Sequence, residues 1–168
     1  MVATDGVTMV LDNSSTFTTR FWRLGERAVG ALDHIKPLAQ LGARWYVASV
    51  FFRSGLTKLH DWDTTLALFH DEYHVPLLNP EFAAWLATGA ELGLSALLML
   101  GLFGRFAAAG LSVLNVVAVI SLMEVADAAL MGHVFWGSLL GFLVLWGPGP
   151  LSLDHWLTPP LRRWAIKL

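Results

Sequence analysis

ARWYVASVFFRSGLTKLHDW, the stretch from Ala43 to Trp62, decides what kind of protein this is. It opens with Arg44 beside an aromatic pair, Trp45 and Tyr46, and runs through apolar residues to Phe52. Arg53, Ser54 and Lys58 then interrupt it, and an aqueous run begins at His60. A soluble core helix rarely carries two cations on so apolar a segment. A membrane span can, if its charges are paired or turned toward protein, because a bare charge at the bilayer centre costs at least ~2.5 kcal/mol. The stretch therefore reads as a first transmembrane helix whose outer half lines a polar site.

The rest of the chain points the same way. Of 168 residues, 55% are hydrophobic and only 14% charged, against about 25% charged in an ordinary soluble domain. The mean hydropathy is +0.57. A soluble helical bundle would need polar faces, and the long apolar segments lack them. Four spans of about 20 residues plus connections fit this length as one membrane domain. The formal net charge of -2 carries no nucleic-acid signal. The sequence has no cysteine, which excludes disulfides, Cys-ligated iron–sulfur centres, c-type haem and dithiol chemistry within the chain. The first residues are polar and the first apolar segment starts late, so no cleavable signal is expected.

Taken in order, Met1 to Asn13 shows no period and reads as flexible. Ser14 or Ser15 can cap a helix reaching about Ile35, with Phe17, Phe21, Leu24, Ala28, Leu32 and Ile35 as its apolar stripe and Arg20, Arg23 and Arg27 on its flank. A basic amphipathic helix next to a span lies in the membrane interface, and Pro37 is expected to end it or turn the chain. The spans follow as Leu38 to about Leu59, Phe82 to Phe103, Phe106 to about Val125, and about Leu130 to Trp146. The last is short, so an earlier start or a thinner bilayer is expected. Brief connections at Gly104–Arg105 and near Asp127 force antiparallel neighbours. The expected fold is all-α: an integral-membrane, four-helix up-down bundle with a cytoplasmic amphipathic helix before it. Residues 1–37, 38–147 and 148–168 form the N-terminal segment, the membrane domain and a cytoplasmic tail.

Charge orients it. Arg20, Arg23, Arg27, Lys36, Arg44, Arg105, Arg162, Arg163 and Lys167 fall on one side, and only Arg53 and Lys58 on the other, where Asp61, Asp63, Asp71, Glu72 and Glu81 crowd. The positive-inside rule puts both termini in the cytoplasm of a bacterial inner membrane. In the outer loop, Trp62, Leu66, Phe69 and Tyr73 share one helical face. A short interfacial helix over about Asp61–Tyr73, stopped by Pro76, is expected to cover the outer mouth of the bundle.

Glu91 is the sharpest chemical signal. It lies ~15 Å below the outer end of its span, near the bilayer midplane, with Thr88 and Ser95 on the same stripe. Two readings stand together: a proton-carrying or ligand-binding acid, and an ion pair with Arg53 that pins the first two spans. Asn115, at similar depth, is expected to bond across to Glu91. Arg53, Lys58, Glu124, Asp127 and His133 form an outer cluster in which His133 can relay a proton; a solvated helix cap accounts for the same residues without chemistry. The candidate catalytic set is Glu91, Arg53, Lys58, Glu124 and His133, and the candidate ligand-binding set is Arg53, Ser54, Lys58, Asn115 and Trp136. His70 and His74 are spaced i, i+4, with His60 and Asp63 near. Zinc or copper could bind at His60, His70 and His74, but the HExxH order and a local Cys or Met are missing, and surface histidines at this spacing arise easily. The Gly137-x-x-x-Gly141 pair and the small patch Ala107–Gly110 suit close packing within the bundle, with a homodimer face as the alternative.

These residues also carry a resemblance. The order ARxYVAxVFFRSGLTKLxDW, LALFxxEYxVPLLNPE, AELGLSALLMLGLFGR and GPGPLSLD resembles the DoxX family of small four-span bacterial membrane proteins. It covers roughly Leu38 to Asp154, with Gly55, Lys58, Glu72 to Leu78, Glu91, Arg105 and the Gly-Pro-Gly before Leu151 as its distinctive pieces. The resemblance implies an inner-membrane four-helix bundle. Its relatives include a subunit of a thiosulfate:quinone oxidoreductase and proteins linked to oxidative-stress, metal-stress and copper-handling systems. It transfers no catalytic residue.

Three functions follow as expectations. The first is a quinone-interacting redox subunit, in which Arg53, Lys58 or His133 bonds a carbonyl, Glu91 or Glu124 exchanges protons, and electrons come from a partner. The second is a non-enzymatic accessory protein docking periplasmic metal- or stress-handling partners through the outer loop. The third is a scaffold whose buried charges only fix packing. Whether the protein is an enzyme is open at this stage.

Overall fold

The computed structural model describes residues 5–122 and 126–157, with side chains from Arg20 onward apart from Leu24, Ala28 and Ala31. Glu124, Arg162, Arg163 and Lys167 lie outside the described residues. So do the side chains of Phe17, Leu24 and Ala28, half of the expected N-terminal stripe. The chain divides into two compact units, Met1–Pro37 and Leu38–Leu168.

The described residues form α1 (Asp5–His60), α2 (Trp62–Asp71), α3 (Pro80–Leu100), α4 (Gly104–Ser121) and α5 (Asp127–Trp146). Two expectations about α1 change. It is helical from Asp5, so Ser14 and Ser15 sit inside it and do not cap it; no glycine or proline breaks the run from Val7 to Leu24. Pro37 also lies within the helix. A proline removes one backbone bond and can leave the turns on either side standing. In the first unit, Arg20, Phe21, Trp22, Arg23, Arg27, Leu32 and Ile35 are all exposed.

In the second unit, α3, α4 and α5 are each long and apolar enough to cross a membrane. The Leu38–His60 part of α1 is the fourth rod of the bundle. Its Arg44, Arg53 and Lys58 lower its hydropathy, but Val47, Ala48 and Phe51 join Leu98, Ala107, Ala108, Leu111, Leu140 and Leu143 in one core. Of these only Phe51 keeps any exposed surface, 5%. The outward faces are apolar too: Trp85, Val116, Val134 and Phe135 are exposed, as lipid-facing residues should be. The protein is an all-α membrane bundle.

Local chemistry sets the helix ends. Asn79 caps α3 by accepting from the Phe82 N–H at 2.7 Å, and Pro80 opens the first turn. Gly101 closes α3 at φ 67, and the Leu102 N–H reaches the Leu97 carbonyl at 2.9 Å. With only Gly101 to Phe103 between them, α3 and α4 run antiparallel. α5 starts at Asp127, three residues before the expected Leu130, which restores enough length to span.

At the end away from α2, residues 148–157 are tied into the bundle. Arg44, only 2% exposed, donates from Nη1 to the Pro148 carbonyl at 2.8 Å and from Nη2 to the Leu151 carbonyl at 2.7 Å. The glycine- and proline-broken backbone leaves these carbonyls without helical partners. The Asp154 carboxylate accepts from the Phe103 and Gly104 N–H groups at 2.8 and 2.7 Å, capping α4 from 50 residues away. A Cβ on Gly101 would stand 2.5 Å from Ser152 Cβ and 2.6 Å from Arg44 Nη1, so the turn accepts only glycine.

α2 is the short helix expected in the loop after the first span. Asp61 caps it through Thr64, accepting from its N–H at 3.0 Å and its hydroxyl at 2.7 Å. Phe69 packs with Ala83 and Ala84 of α3, flanked by Trp62, Leu66 and Tyr73. The chain after α2 then pairs with the end of α4: the His74 N–H donates to the Ser121 carbonyl at 2.8 Å, and Tyr73 bridges Leu122.

Candidate functional site

Gly55 brings α1 close to α3. A Cβ there would lie 2.8 Å from Leu92 Cγ and 3.1 Å from Glu91 Cβ. That approach lets Ser54 and Lys58, one turn apart on α1, reach the acid. Lys58 Nζ donates to both Glu91 carboxylate oxygens at 2.8 Å and to Ser54 Oγ at 2.9 Å, and Ser54 Oγ donates to Glu91 Oε1 at 3.1 Å. The Lys58 and Glu91 side chains are 18% and 10% exposed.

This corrects the expected pairing with Arg53. Along α1, the positions facing the bundle are 44, 47, 48, 51, 55 and 58; Arg53 falls off that face and is exposed. Depth along the helix axis favoured Arg53, but rotation about the axis decides, and Lys58 reaches back one turn.

Asn115 also has a different partner. Its Nδ2 donates to the His133 carbonyl at 2.9 Å, and its Oδ1 lies 2.8 Å from His133 Nδ1. It locks α4 to α5 and does not meet Glu91. A Cβ on Gly137 would sit 3.1 Å from Asn115 Nδ2, so that glycine makes room for the amide, while Gly141 has open space around it. Gly110 similarly admits Leu94 of α3.

The two polar groups face one cavity of about 630 Å³. Ser54, Lys58 and Glu91 stand on one wall, and His133 and Trp136 on another. Val50, Phe51, Leu86, Ala90, Val113, Leu114 and Val117 line the apolar remainder. Trp136 meets His133 and Phe51 edge-on, with centroids 5.1 and 6.2 Å apart. Phe69, Tyr73, Val75, Pro76 and Leu78, from α2 and the chain after it, line the α2 end. Arg53 is not among the lining residues, and Asn115 acts from behind through His133.

Tyr73 is the site residue that sequence reading did not single out for chemistry. Burial raises its phenol pKa above the ordinary value, and Glu72 and Glu91 add to the effect. It therefore stays protonated as a donor and acceptor at the cavity edge. Its signal was present in the stripe Trp62, Leu66, Phe69 and Tyr73, which marks the inward face of α2.

Beyond Glu91 on α3, Ser95 is fully buried with no partner for its hydroxyl among the described residues. After it comes the solid layer of Leu98, Ala107, Leu111, Leu140 and Leu143, so the cavity occupies the α2 half of the bundle. His60, His70 and His74 are exposed, and no group of three or more His, Cys, Asp or Glu side chains able to hold a metal forms among the described residues. Asp127 is exposed at the start of α5.

A membrane bundle with a sealed base, a capped mouth and a polar-walled apolar cavity defines the class of protein. The DoxX family model matches residues 39–124, just over half of the chain, and the chain belongs to the DoxX family. Comparison with curated proteins and with solved structures returned no match.

Proposed function

We propose that this DoxX protein is a quinone-interacting, redox-linked subunit of a bacterial inner membrane, with its quinone in the cavity between Glu91 and His133. The observation that carries the reading is a 630 Å³ space, apolar over most of its lining, with ionisable groups on two walls. A lipid-soluble ring with polar oxygens fits that combination, and ligand sites are commonly apolar clefts with a few convergent polar groups. The described basic residues Arg44 and Arg105 lie at the end opposite α2, where Arg105 donates to the Leu145 carbonyl at 3.3 Å. The positive-inside rule then favours cytoplasmic termini and a cavity in the outer half.

A bound quinone supplies two-electron, two-proton chemistry. Lys58 and Ser54 hold the Glu91 carboxylate in one orientation. Asn115 does the same for His133, so a proton accepted on either wall is held at a fixed atom. The packed layer around Leu98 and Leu140 keeps water from crossing the bundle. With no cysteine in the chain, the quinone exchanges its electrons with a partner or a soluble molecule.

The test is calorimetric titration of the purified protein in lipid nanodiscs with a short-chain benzoquinone. Saturable binding, weakened when Lys58 and Glu91 are both replaced by Met, is the expected result. A preparation that carries no quinone and gives no saturable heat would sink the reading.

A further inference from the structure

The hydrogen-bonding capacity left over at the two walls is not balanced. At His133 the assignment is forced. Asn115 faces the His133 backbone carbonyl, which can only accept, so the amide nitrogen must point there and the amide oxygen must face Nδ1. An amide oxygen cannot donate, so Nδ1 carries the proton. In the neutral ring that leaves Nε2 as a bare lone pair, and Nε2 has no hydrogen-bond partner among the described residues. Asn115 thus sets the tautomer, as the second contact of a histidine usually does.

At the other wall the donors are already committed. The Lys58 ammonium serves both Glu91 oxygens and Ser54 Oγ, and the Ser54 hydroxyl proton serves Glu91. At most one N–H is left over, on a charge that its carboxylate neutralises. The carboxylate has about four lone-pair sites and uses three. Tyr73 can act in either sense. The site therefore offers acceptors on both walls and few donors. A carbonyl ligand would meet lone pairs, whereas a ligand with hydroxyl groups would satisfy them.

We infer that the cavity selects the hydrogen-bond-donating form of its ligand, a lipophilic diphenol such as a reduced quinone, through His133 Nε2 and the Glu91 carboxylate. This rests on the quinone reading above and specifies which form the resting site recognises. Asn115 is a positioning residue for it, and His133 and Glu91 contact the ligand.

Three probes decide it by calorimetry in nanodiscs, under argon and at about pH 8, where imidazole is neutral. They are a decyl-substituted benzoquinone, the diphenol obtained by reducing it, and the dimethyl ether of that diphenol, which keeps the ring and removes both donors. The diphenol binds on the order of tenfold tighter than either of the others, the effect of one or two buried hydrogen bonds. His133→Phe and Glu91→Gln each cut that preference to a few-fold. If either variant does not fold, the three-ligand comparison on the unsubstituted protein decides alone. Quinone binding as tightly as the diphenol overturns this inference and leaves the quinone reading standing. Ether binding as tightly as the diphenol overturns it too, because the preference would not run through donated hydrogen bonds. No saturable binding by any of the three ends both.

Discussion

Replacing Lys58 with Met keeps most of the stem and removes the ammonium. Glu91 would then be a carboxyl group 10% exposed, left with one hydrogen bond from Ser54. Removing one partner of a buried pair costs about 3–5 kcal/mol, whereas replacing both by apolar groups of similar volume is close to neutral or stabilising. For a chain of this size each kcal/mol moves the melting point by roughly 2–4 °C, so Lys58→Met should lower Tm by about 6–20 °C. Lys58→Met combined with Glu91→Met should recover most of that loss. The assay is thermal unfolding followed by circular dichroism in a fixed detergent, with Arg53→Met as the control. Arg53 is exposed and outside the pair, so its change should not lower Tm by more than about 2 °C. A cycle in which Arg53→Met costs as much as Lys58→Met, or in which the double variant is no better than the single, would refute the pairing and with it the geometry of the site.

Further outcomes follow from other contacts. Gly55→Val should weaken the α1–α3 approach, because its Cβ alone would stand 2.8 Å from Leu92 Cγ; a Tm drop accompanied by weaker benzoquinone binding is expected, and unchanged values would mean the helices have room to spare. Asp154→Ala removes the external cap of α4 and should cost about 0.5–2 kcal/mol, seen as faster amide exchange at Phe103 and Gly104; protection equal to the parent would show the cap is dispensable. Gly101→Ala should cost more than an ordinary surface change, since φ is 67 and Arg44 fills the space; a variant as stable as the parent would contradict that account of the turn. Acid should loosen α2. The Thr64 hydroxyl and N–H hold the Asp61 carboxyl below the usual range. Its folded pKa is depressed, so its contribution is complete above the unfolded value of about 3.9 and is lost as pH falls through the folded one. Amide exchange in α2 should accelerate only in that acid window, and Asp61→Asn should shift or abolish the step; a pH-independent α2 would contradict the linkage.

The lesson about reading sequence comes from Lys58, Asn115 and Arg44. Composition alone required lipid around this chain, because too few charges remain to cover four long apolar helices with water-facing surface. Period-3.6 spacing located α2 and its inward face; the ends of α3, expected at Phe82 and Phe103, fall at Pro80 and Leu100, where Asn79, Pro80 and Gly101 set them. These are local effects: a cap, a missing N–H or a glycine φ acts within one turn of the residue that carries it. Glu91 stood out for the same reason, since a carboxyl at mid-bilayer depth needs an explanation wherever its neighbours lie.

Its partner depended on rotation and close approach. Arg53 and Lys58 are five residues apart, both basic and both near the right depth, and only the face that α1 turns toward α3 separates them. Asn115 could equally have crossed to α3 until the geometry gave it to His133. Arg44 looked like a topogenic charge at the foot of a span, yet carbonyls freed by prolines more than 100 residues later bury it. Hydropathy and capping are written along the chain, and they determined a membrane bundle with an acid in its middle. Which side chains meet across helices depends on how four rods rotate and seat around Gly55, Gly101 and Gly110, and only the tertiary structure decided that.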